Sequence, residues 1–272
     1  MKLSIITINW NNYAGLQKTI NSIVSQTFKD FEWIVIDGGS TDGSKELIEQ
    51  FSDYFAYWVS EPDKGVYNAM NKGISKAQGE YMSFMNSGDV YANEQVLQNV
   101  FGTCPSQDLL FGDWILQYTD HQVYVKEPET LSLHRLFYWS ICHQAMFIKA
   151  SLLKQKGYDE SYHIIADWKR WLEAVVGGCS VLYIPVLVCV FDCSGVSFSN
   201  NKLLEDEKKK LFEEDLIHFK EIREFYYNKY KYPQLTSVYD MYSSCRFNRR
   251  IIKLALKVIG VRNRIVNKKK GT

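Results

Sequence analysis

FEWIVIDGGSTDGS, residues 31–44, joins an apolar run to a turn of aspartate, glycine and serine. The run is apolar almost throughout, without the alternation of a half-exposed strand, which is typical of a strand buried on both faces. Asp, Gly and Ser then provide turn chemistry, and a helix is predicted at Lys45–Phe51. The stretch therefore predicts a strand, a loop and a helix, the repeating unit of an α/β fold.

The same unit recurs through the first third of the chain. Leu3–Ile8 and Tyr81–Met85 predict two further buried strands, and Tyr57–Ser60 predicts a short one. Leu16–Gln26 and Val66–Ala77 read as helices between these strands. This alternation predicts an α/β fold, with a mostly parallel sheet covered by helices on both faces.

The pattern becomes mixed after residue 90. We predict strands at Leu109–Tyr118, Gln122–Val125, His143–Lys149 and Val181–Val190, and a helix at Asp167–Val176. From Leu203 the chain reads as helical and charged, with no Gly or Pro until Pro233. We therefore predict one α/β domain at residues 1–200 and a helical extension at residues 201–272.

The composition is that of an ordinary globular protein. Of the 272 residues, 46% are hydrophobic and 23% are charged, which excludes wholesale disorder. The six cysteines include no C-x-x-C pair, and Cys189-x-x-x-Cys193 lacks a second ligand pair, so we expect a reduced chain in the cytoplasm. The N-terminus does not resemble a signal peptide, and no apolar run reaches the ~20 residues that span a bilayer.

Three polar loops follow predicted parallel strands and should lie together. Their sequences are Asn9-Trp10-Asn11, Asp37-Gly38-Gly39-Ser40 and Asn86-Ser87-Gly88-Asp89. Because the C-terminal ends of parallel strands share one edge, and open sheets bind ligands there, we expect a binding site at this edge. The glycine-rich turn is neither G-x-G-x-x-G nor a P-loop, which disfavours a dinucleotide enzyme.

Three carboxylates are candidates for chemistry, and each has a structural alternative. Asp37 could accept a hydrogen bond from a nucleobase or ribose, or could form an Asx turn beside a helix cap at Ser40 or Thr41. Asp89 could bind Mg²⁺ or Mn²⁺, which prefer oxygen ligands, or could be a turn aspartate. Asp167, at the positive end of a helix dipole, could be a general base or an N-terminal cap.

Two basic side chains are further candidates. His143 stands beside Gln144 in an apolar segment, where a histidine is more often a satisfied core group than a ligand. Lys64 could neutralise phosphate, or it could be a solvated loop lysine.

Several segments occur in an order that resembles a known family. They are SIITINWNN (4–12), SIVSQTFKDFEWIVIDGGSTDGS (22–44), SEPDKGVYNAMNKGISKAQGEYMSFMNSGD (60–89), HQAMFIK (143–149), ADWKRWL (166–172) and SGVS (194–197). The ordered set resembles the family 2 glycosyltransferases with the GT-A fold, especially bacterial members that build capsule, exopolysaccharide and O-antigen repeat units. The resemblance extends through about residue 200.

The resemblance implies a role for each matching position. It places Asp37 against the nucleotide, Asp89 on the metal and diphosphate, and Asp167 as the catalytic base. The implied donor-binding set is Ile8, Asn9, Asp37, Lys64, Ser87, His143 and Ser197. The chain departs from the family pattern at the first Asp of the D-x-D motif, which is replaced in Asn86-Ser87-Gly88-Asp89. It departs again at Gly38, where the D-D-x-S pattern has its second Asp.

The implied activity is inverting transfer of a sugar from a nucleotide-sugar, by the family's habit a UDP-sugar, to an acceptor hydroxyl. Mg²⁺ or Mn²⁺ is the implied cofactor. Two alternatives stay open, a sugar-nucleotide nucleotidyltransferase and a non-catalytic nucleotide- or sugar-binding module. The first should carry a basic Gly-rich N-terminal loop, but TINWNNYAG has no basic residue. The presence of both Asp89 and Asp167 argues against the second.

Residues 246–272 carry ten Lys or Arg and no Asp or Glu. Their apolar residues share one helical face, which predicts an amphipathic helix on the inner face of the cytoplasmic membrane, with ~1 kcal/mol of attraction per basic residue. Such a helix suits an acceptor saccharide on a polyprenyl lipid. A solvated helix packed on the body is the alternative, and we expect no nucleic-acid partner because no matching fold is present.

Overall fold

The strands of the protein form one mixed sheet. The computed structural model describes residues 1–195 and 201–215. The strands are β1 (Leu3–Asn9), β2 (Phe31–Asp37), β3 (Tyr57–Ser60), β4 (Tyr81–Phe84), β5 (Val90–Tyr91), β6 (Leu109–Gln117), β7 (Gln122–Val125), β8 (Met146–Lys149) and β9 (Val181–Asp192). Their order across the sheet is β3-β2-β1-β4-β8-β6-β9-β5, with β7 added to β6.

Helices cover the sheet. They are α1 (Tyr13–Val24), α2 (Ser44–Gln50), α3 (Val66–Lys76), α4 (Val96–Phe101), α5 (Leu133–Tyr138), α6 (Ala150–Gln155), α7 (Ala166–Val176) and α8 (Asn201–Lys210), with a π-helical turn at Leu211–Asp215. Among these described residues, no helix combines the length and hydropathy needed to cross a membrane.

The first four strands pair in parallel. β1 lies between β2 and β4, and β2 also pairs with β3. β8 then pairs antiparallel with β4 and with β6, while β6 and β9 run parallel. The C-terminal ends of β1, β2 and β4 therefore share one edge, as predicted, and the expected α/β sheet flanked by helices is confirmed.

The two faces of the sheet carry separate packing layers. On one face, Leu16 and Ile20 of α1 pack in a cluster with Trp33 and Tyr81. On the other, Tyr158 contacts Tyr67, Phe84 and Trp171, with ring centroids 5.3, 5.5 and 5.9 Å away. Burial of aromatic rings of this size is strongly stabilising. This aromatic cluster joins α3, β4 and α7, and it fixes the start of α7 near the edge where the loops lie.

One predicted strand is wrong at its beginning. The segment predicted as a strand from His143 to Lys149 starts with a 3₁₀ turn at His143–Ala145, and the strand begins only at Met146. The reason is local: Ala145 N donates to the carbonyl of Cys142 at 3.0 Å and closes a turn, and pairing of this segment with β6 begins only at Met146, opposite Phe111. The short helices α4, α5 and α6 were not predicted.

Two predictions concern residues whose structure is not described. Ser197 and the basic segment 246–272 both lie outside the described residues. Residues Met1–Asp215 form one compact unit, so α8 belongs to the same unit as the sheet. The predicted boundary at residue 200 and the helical extension after it stay predictions.

Candidate active site

The three polar loops meet at the predicted edge of the sheet. Gly38 N donates to the carbonyl of Asn9 at 2.8 Å, and Ser87 N donates to the carbonyl of Ile8 at 3.0 Å. The end of β1 is thus bonded to the loops that follow β2 and β4. The side chain of Asn12 also donates to the carbonyl of Ser87 at 3.0 Å. The main chain of Ile8 and Asn9 therefore holds the other two loops in place.

Asp37 is the anchor of the loop after β2. Its carboxylate is fully buried and accepts from Asn9 Nδ2 at 2.7 Å, Ser40 N at 2.9 Å, Ser40 Oγ at 2.5 Å and Ser60 Oγ at 2.6 Å. Burial raises the pKa of Asp37, but these hydrogen bonds, led by those from Ser40 and Ser60, outweigh it and lower the pKa below its ordinary value. The ionised carboxylate therefore holds Ser40 of the loop against Asn9 and Ser60, the last residues of β1 and β3.

A different carboxylate stands where the missing second Asp of the turn would be. A Cβ atom added to Gly38 would lie 2.6 Å from Asp63 Oδ2 and 3.3 Å from Trp10 Cδ1. Asp63 Oδ1 accepts from Gly65 N at 2.8 Å, which orients the carboxyl group. Trp10 is 68% exposed. One carboxylate oxygen, from Asp63, and one exposed aromatic ring, from Trp10, therefore lie next to Gly38.

Asp89 is held at the end of the β4 loop by two donors. Gln144 Nε2 donates to Asp89 Oδ2 at 2.6 Å, and Asp192 N donates to Asp89 Oδ1 at 2.9 Å. Burial raises the pKa of Asp89 to about 7, although both of these hydrogen bonds act in the opposite direction. A cavity of about 640 Å³ opens beside the adjacent Gly88 and Asp192.

A second row of polar contacts contains Asp167. Asn86 Nδ2 lies 3.1 Å from His143 Nε2, and His143 Nδ1 lies 3.2 Å from Asp167 Oδ2. When the Asn86 amide donates to Nε2, the proton of the imidazole is on Nδ1 and is donated to Asp167. Tyr67 OH donates to Asp167 Oδ1 at 2.7 Å. Burial and then the charge of Asp167 raise the pKa of Tyr67 well above its ordinary value.

Two of the three carboxylates named in the sequence analysis, Asp89 and Asp167, therefore belong to one network. The 3₁₀ turn directs His143 to Asp167 and its neighbour Gln144 to Asp89. Asp167 is the second residue of α7, where the helix dipole favours a negative charge. Lys64 is exposed in the turn before α3, and its N–H donates to Asn68 Oδ1 at 3.2 Å.

The sequence analysis missed several residues of this edge. They are Asp63, Tyr67, Gln144 and Asp192, whereas Trp10 and Asn86 were placed in the polar loops without a role of their own. The absence of a second Asp at Gly38 was a signal to search the neighbouring SEPDKG segment for a replacement carboxylate. Tyr67 and Gln144 gave no signal, because their partners lie far away along the chain.

The oxygen atoms at this edge are suitable ligands for a hard divalent cation. Asp89 supplies carboxylate oxygens, and the same turn contains Asn86 Oδ1, a buried oxygen with no hydrogen-bond partner. Mg²⁺ and Mn²⁺ prefer such oxygen ligands. Within residues 1–195 and 201–215, no group of three or more His, Cys, Asp or Glu could hold a metal ion by itself. The residues fit a cation whose remaining ligands come from a bound diphosphate.

Comparison with known proteins identifies the family. Residues 4–123 match the family described as Glycosyl transferase family 2. An uncharacterized glycosyltransferase of Mycobacterium tuberculosis is 36% identical over 203 residues, which cover 71% of this chain and 76% of that protein. A PGL/p-HBAD biosynthesis glycosyltransferase of Mycobacterium bovis is 34% identical over 173 residues, covering 61% of this chain and 66% of that protein. The chain therefore belongs to glycosyltransferase family 2, and it is an enzyme.

Solved structures have the same fold. S. aureus TarS 1–349 in complex with UDP-GlcNAc superposes with a TM-score of 0.65 at 17% identity, covering 78% of this chain and 64% of that chain. A mannosyltransferase from Pyrobaculum calidifontis, in complex with GDP-Man and Mn²⁺, gives a TM-score of 0.56 at 18% identity, covering 70% of this chain and 56% of that chain. This chain thus spans less than two thirds of both, and the similarity confirms the GT-A fold.

Proposed function

We propose that this enzyme transfers a sugar from a UDP-sugar to a hydroxyl group of a lipid-linked saccharide, with inversion at the anomeric carbon. The observation that carries the proposal is the single network in which His143 bonds to Asp167 and Gln144 bonds to Asp89. One carboxylate is then available for the acceptor and one for the diphosphate side of the donor. Such a pairing of roles at one sheet edge supports glycosyl transfer.

Asp167 takes the proton from the acceptor hydroxyl in the proposed reaction. Tyr67 and His143 hold its two oxygens, so that the remaining lone pairs have a defined direction. A single displacement needs one base, in contrast to the paired carboxylates of glycosidases. Lys64, and a divalent cation held by Asp89 when one is bound, would stabilise the charge on the departing nucleoside diphosphate.

The surface formed by Asp63 and Trp10 beside Gly38 is the proposed nucleobase site. Uracil carries a hydrogen on N3, which a carboxylate oxygen can accept, and Asp63 Oδ2 is the oxygen beside Gly38. The exposed ring of Trp10 can stack on a base. Asp37 contributes by holding Ser40 and the rest of the loop, and Ile8, Asn9 and Ser87 contribute through the loop contacts described above. In this proposal, Ser197 also belongs to the donor site.

The test is an assay of the purified enzyme with Mn²⁺, a donor (UDP-glucose or UDP-N-acetylglucosamine) and a panel of octyl α- and β-glycosides as acceptors. The enzyme should release UDP and form a new glycoside. Proton NMR should show a β-linkage formed from the α-linked donor. EDTA should reduce the rate at least ~10-fold, and added Mg²⁺ or Mn²⁺ should restore it. Retained α-configuration would contradict the single displacement, and an unchanged rate in EDTA would contradict the role of the cation.

The acceptor is proposed to lie at a membrane surface. A relative is described as taking part in PGL/p-HBAD biosynthesis, and the basic segment 246–272 carries ten positive side chains. Deleting residues 246–272 should therefore move the protein from the pellet to the supernatant when it is sedimented with vesicles containing anionic phosphatidylglycerol. Neutral phosphatidylcholine vesicles are the control. Equal sedimentation of both forms with anionic vesicles would contradict membrane binding through this segment.

A further inference from the structure

Glu207 is a buried carboxylate that lies outside the sequence motifs of the site. It is on α8 and is 5% exposed. Its two oxygens accept three consecutive backbone N–H groups, from His163 at 2.5 Å, Ile164 at 2.9 Å and Ile165 at 3.1 Å. Hydrogen bonds to an ionised acceptor are about twice as strong as neutral ones. Glu207 therefore holds the main chain of residues 163–165 firmly.

The segment that Glu207 holds leads directly into the base. Residue 165 precedes α7, and Asp167 is the second residue of that helix. Tyr67 OH lies within hydrogen-bond distance of two acceptors, the carbonyl of Ile164 at 2.6 Å and Asp167 Oδ1 at 2.7 Å, and its single proton is shared between them. Residue 164 is thus bonded on both sides, with its N–H on Glu207 and its carbonyl on Tyr67. A shift of this residue would move both Tyr67 and Asp167.

We propose that Glu207 is a positioning residue that sets the direction of the Asp167 carboxylate towards the acceptor. The inference rests on the proposed role of Asp167 as the base. Without the Glu207 carboxylate, three backbone N–H groups would lose their partner, and the segment would have to rearrange to satisfy the buried one, that of Ile165. A displacement of about 1 Å at a reacting group can reduce a rate by about 10²-fold.

A separate set of contacts holds α7 in place, so removing the Glu207 carboxylate should affect only the segment before this helix. Lys169, also in the first turns of α7, bonds to Asp159 at 2.7 Å and to Asp215. Tyr162 OH also donates to Asp215 at 2.8 Å. These contacts do not involve Glu207, so α7 should stay in place when the Glu207 charge is removed. The change should then reach activity through the orientation of Asp167 and not through unfolding.

The test is Glu207→Gln, with Glu205→Gln as the matched control. Glutamine keeps the size of the side chain but places an NH₂ group against one of the N–H donors. Glu205 is on the same helix, its side chain is 71% exposed, and its partner is Lys208 at 2.8 Å. With UDP-glucose or UDP-N-acetylglucosamine and octyl glycosides, kcat of Glu207→Gln should fall about 10- to 100-fold. The Kd for UDP should stay within about twofold, and Glu205→Gln should leave both values unchanged.

A double-mutant cycle with Tyr67→Phe separates positioning from general stability. Because Tyr67 and Glu207 act on the same residue, the combined loss in kcat should be smaller than the product of the two single losses. Losses that multiply, or a folded Glu207→Gln with unchanged kcat, would overturn the inference. If Asp167→Asn lowers kcat by about 10²-fold or more while Glu207→Gln leaves kcat unchanged, only the role of Glu207 fails. Full activity of Asp167→Asn would contradict the proposed function itself.

Discussion

Asp167→Asn is expected to lower kcat for sugar transfer by about 10²- to 10⁴-fold, the contribution typical of a general base. Asparagine has the size of aspartate but cannot take up the proton of the acceptor hydroxyl. Tyr67 OH can still donate to its amide oxygen, so the local packing should persist. UDP binding should be unchanged within about twofold, because the proposed nucleobase site at Gly38 and Asp63 belongs to other loops. The measurements are UDP release with octyl glycosides and titration calorimetry with UDP.

Asp206→Asn is the matched control for Asp167→Asn. Asp206 is exposed on α8 and is next to Glu207 in sequence. Its substitution removes one carboxylate without touching the network, so transfer should continue at the full rate. Wild-type kcat in Asp167→Asn would reject Asp167 as the base. Loss of both UDP binding and transfer would instead indicate a general defect, which circular dichroism would detect.

Asp63→Ala is expected to weaken UDP binding about 10- to 100-fold, since hydrogen bonds to a charged group contribute ~1.5–3 kcal/mol. CDP gives the sharper comparison, because its phosphates are the same but N3 of cytosine carries no hydrogen. The unchanged chain should therefore prefer UDP to CDP, and Asp63→Ala should lose most of this preference. Asp53→Ala, an exposed residue of the turn after α2, is the control and should change neither affinity.

Gly38→Asp in the Asp63→Ala background tests whether a carboxylate at position 38 can restore the UDP binding lost with Asp63. With Asp63 present, a side chain at position 38 collides with its carboxylate, because the added Cβ would lie 2.6 Å from Asp63 Oδ2. With the Asp63 carboxylate removed, the close neighbour that remains is the exposed Trp10 ring, 3.3 Å from the added Cβ, which has room to shift. The new aspartate then restores a carboxylate beside this ring. UDP binding should recover to within a few-fold of the starting value. Undiminished UDP affinity in the Asp63→Ala single variant would show that this carboxylate does not hydrogen-bond to the nucleobase.

The first half of the fold was predictable because its strands are apolar almost throughout. β1 and β2 are buried at nearly every position, and such runs are recognised without knowledge of their partners. The three polar loops could be brought together by the geometry of parallel strands alone. In the second half, β6 to β9 mix parallel and antiparallel pairs, and local pattern does not determine which strands pair.

The sequence predicted the carboxylates of the site, but it did not predict the residues that bond to them and fix their positions. Asp37, Asp89 and Asp167 stand at ends of strands or helices, where a single sequence reveals polar residues that end an apolar pattern. Gln144 and Glu207 reach residues 55 and 42–44 positions away, so no local pattern indicates them. The same limit made His143–Ala145 look like part of a strand.

The antiparallel pairing of β4 with β8 limits the motions by which substrates could enter and leave. The strands that carry the Asp37 and Asn86 loops and the strands beyond β8 belong to one continuous hydrogen-bonded sheet. In the described part of the chain, the strands on the two sides of this pairing cannot swing apart as two lobes without breaking main-chain bonds between Tyr81 and Lys149 or Met82 and Ile148. In the proposed reaction, we therefore expect the nucleoside diphosphate to leave through rearrangement of loops, while the sheet beneath them stays intact.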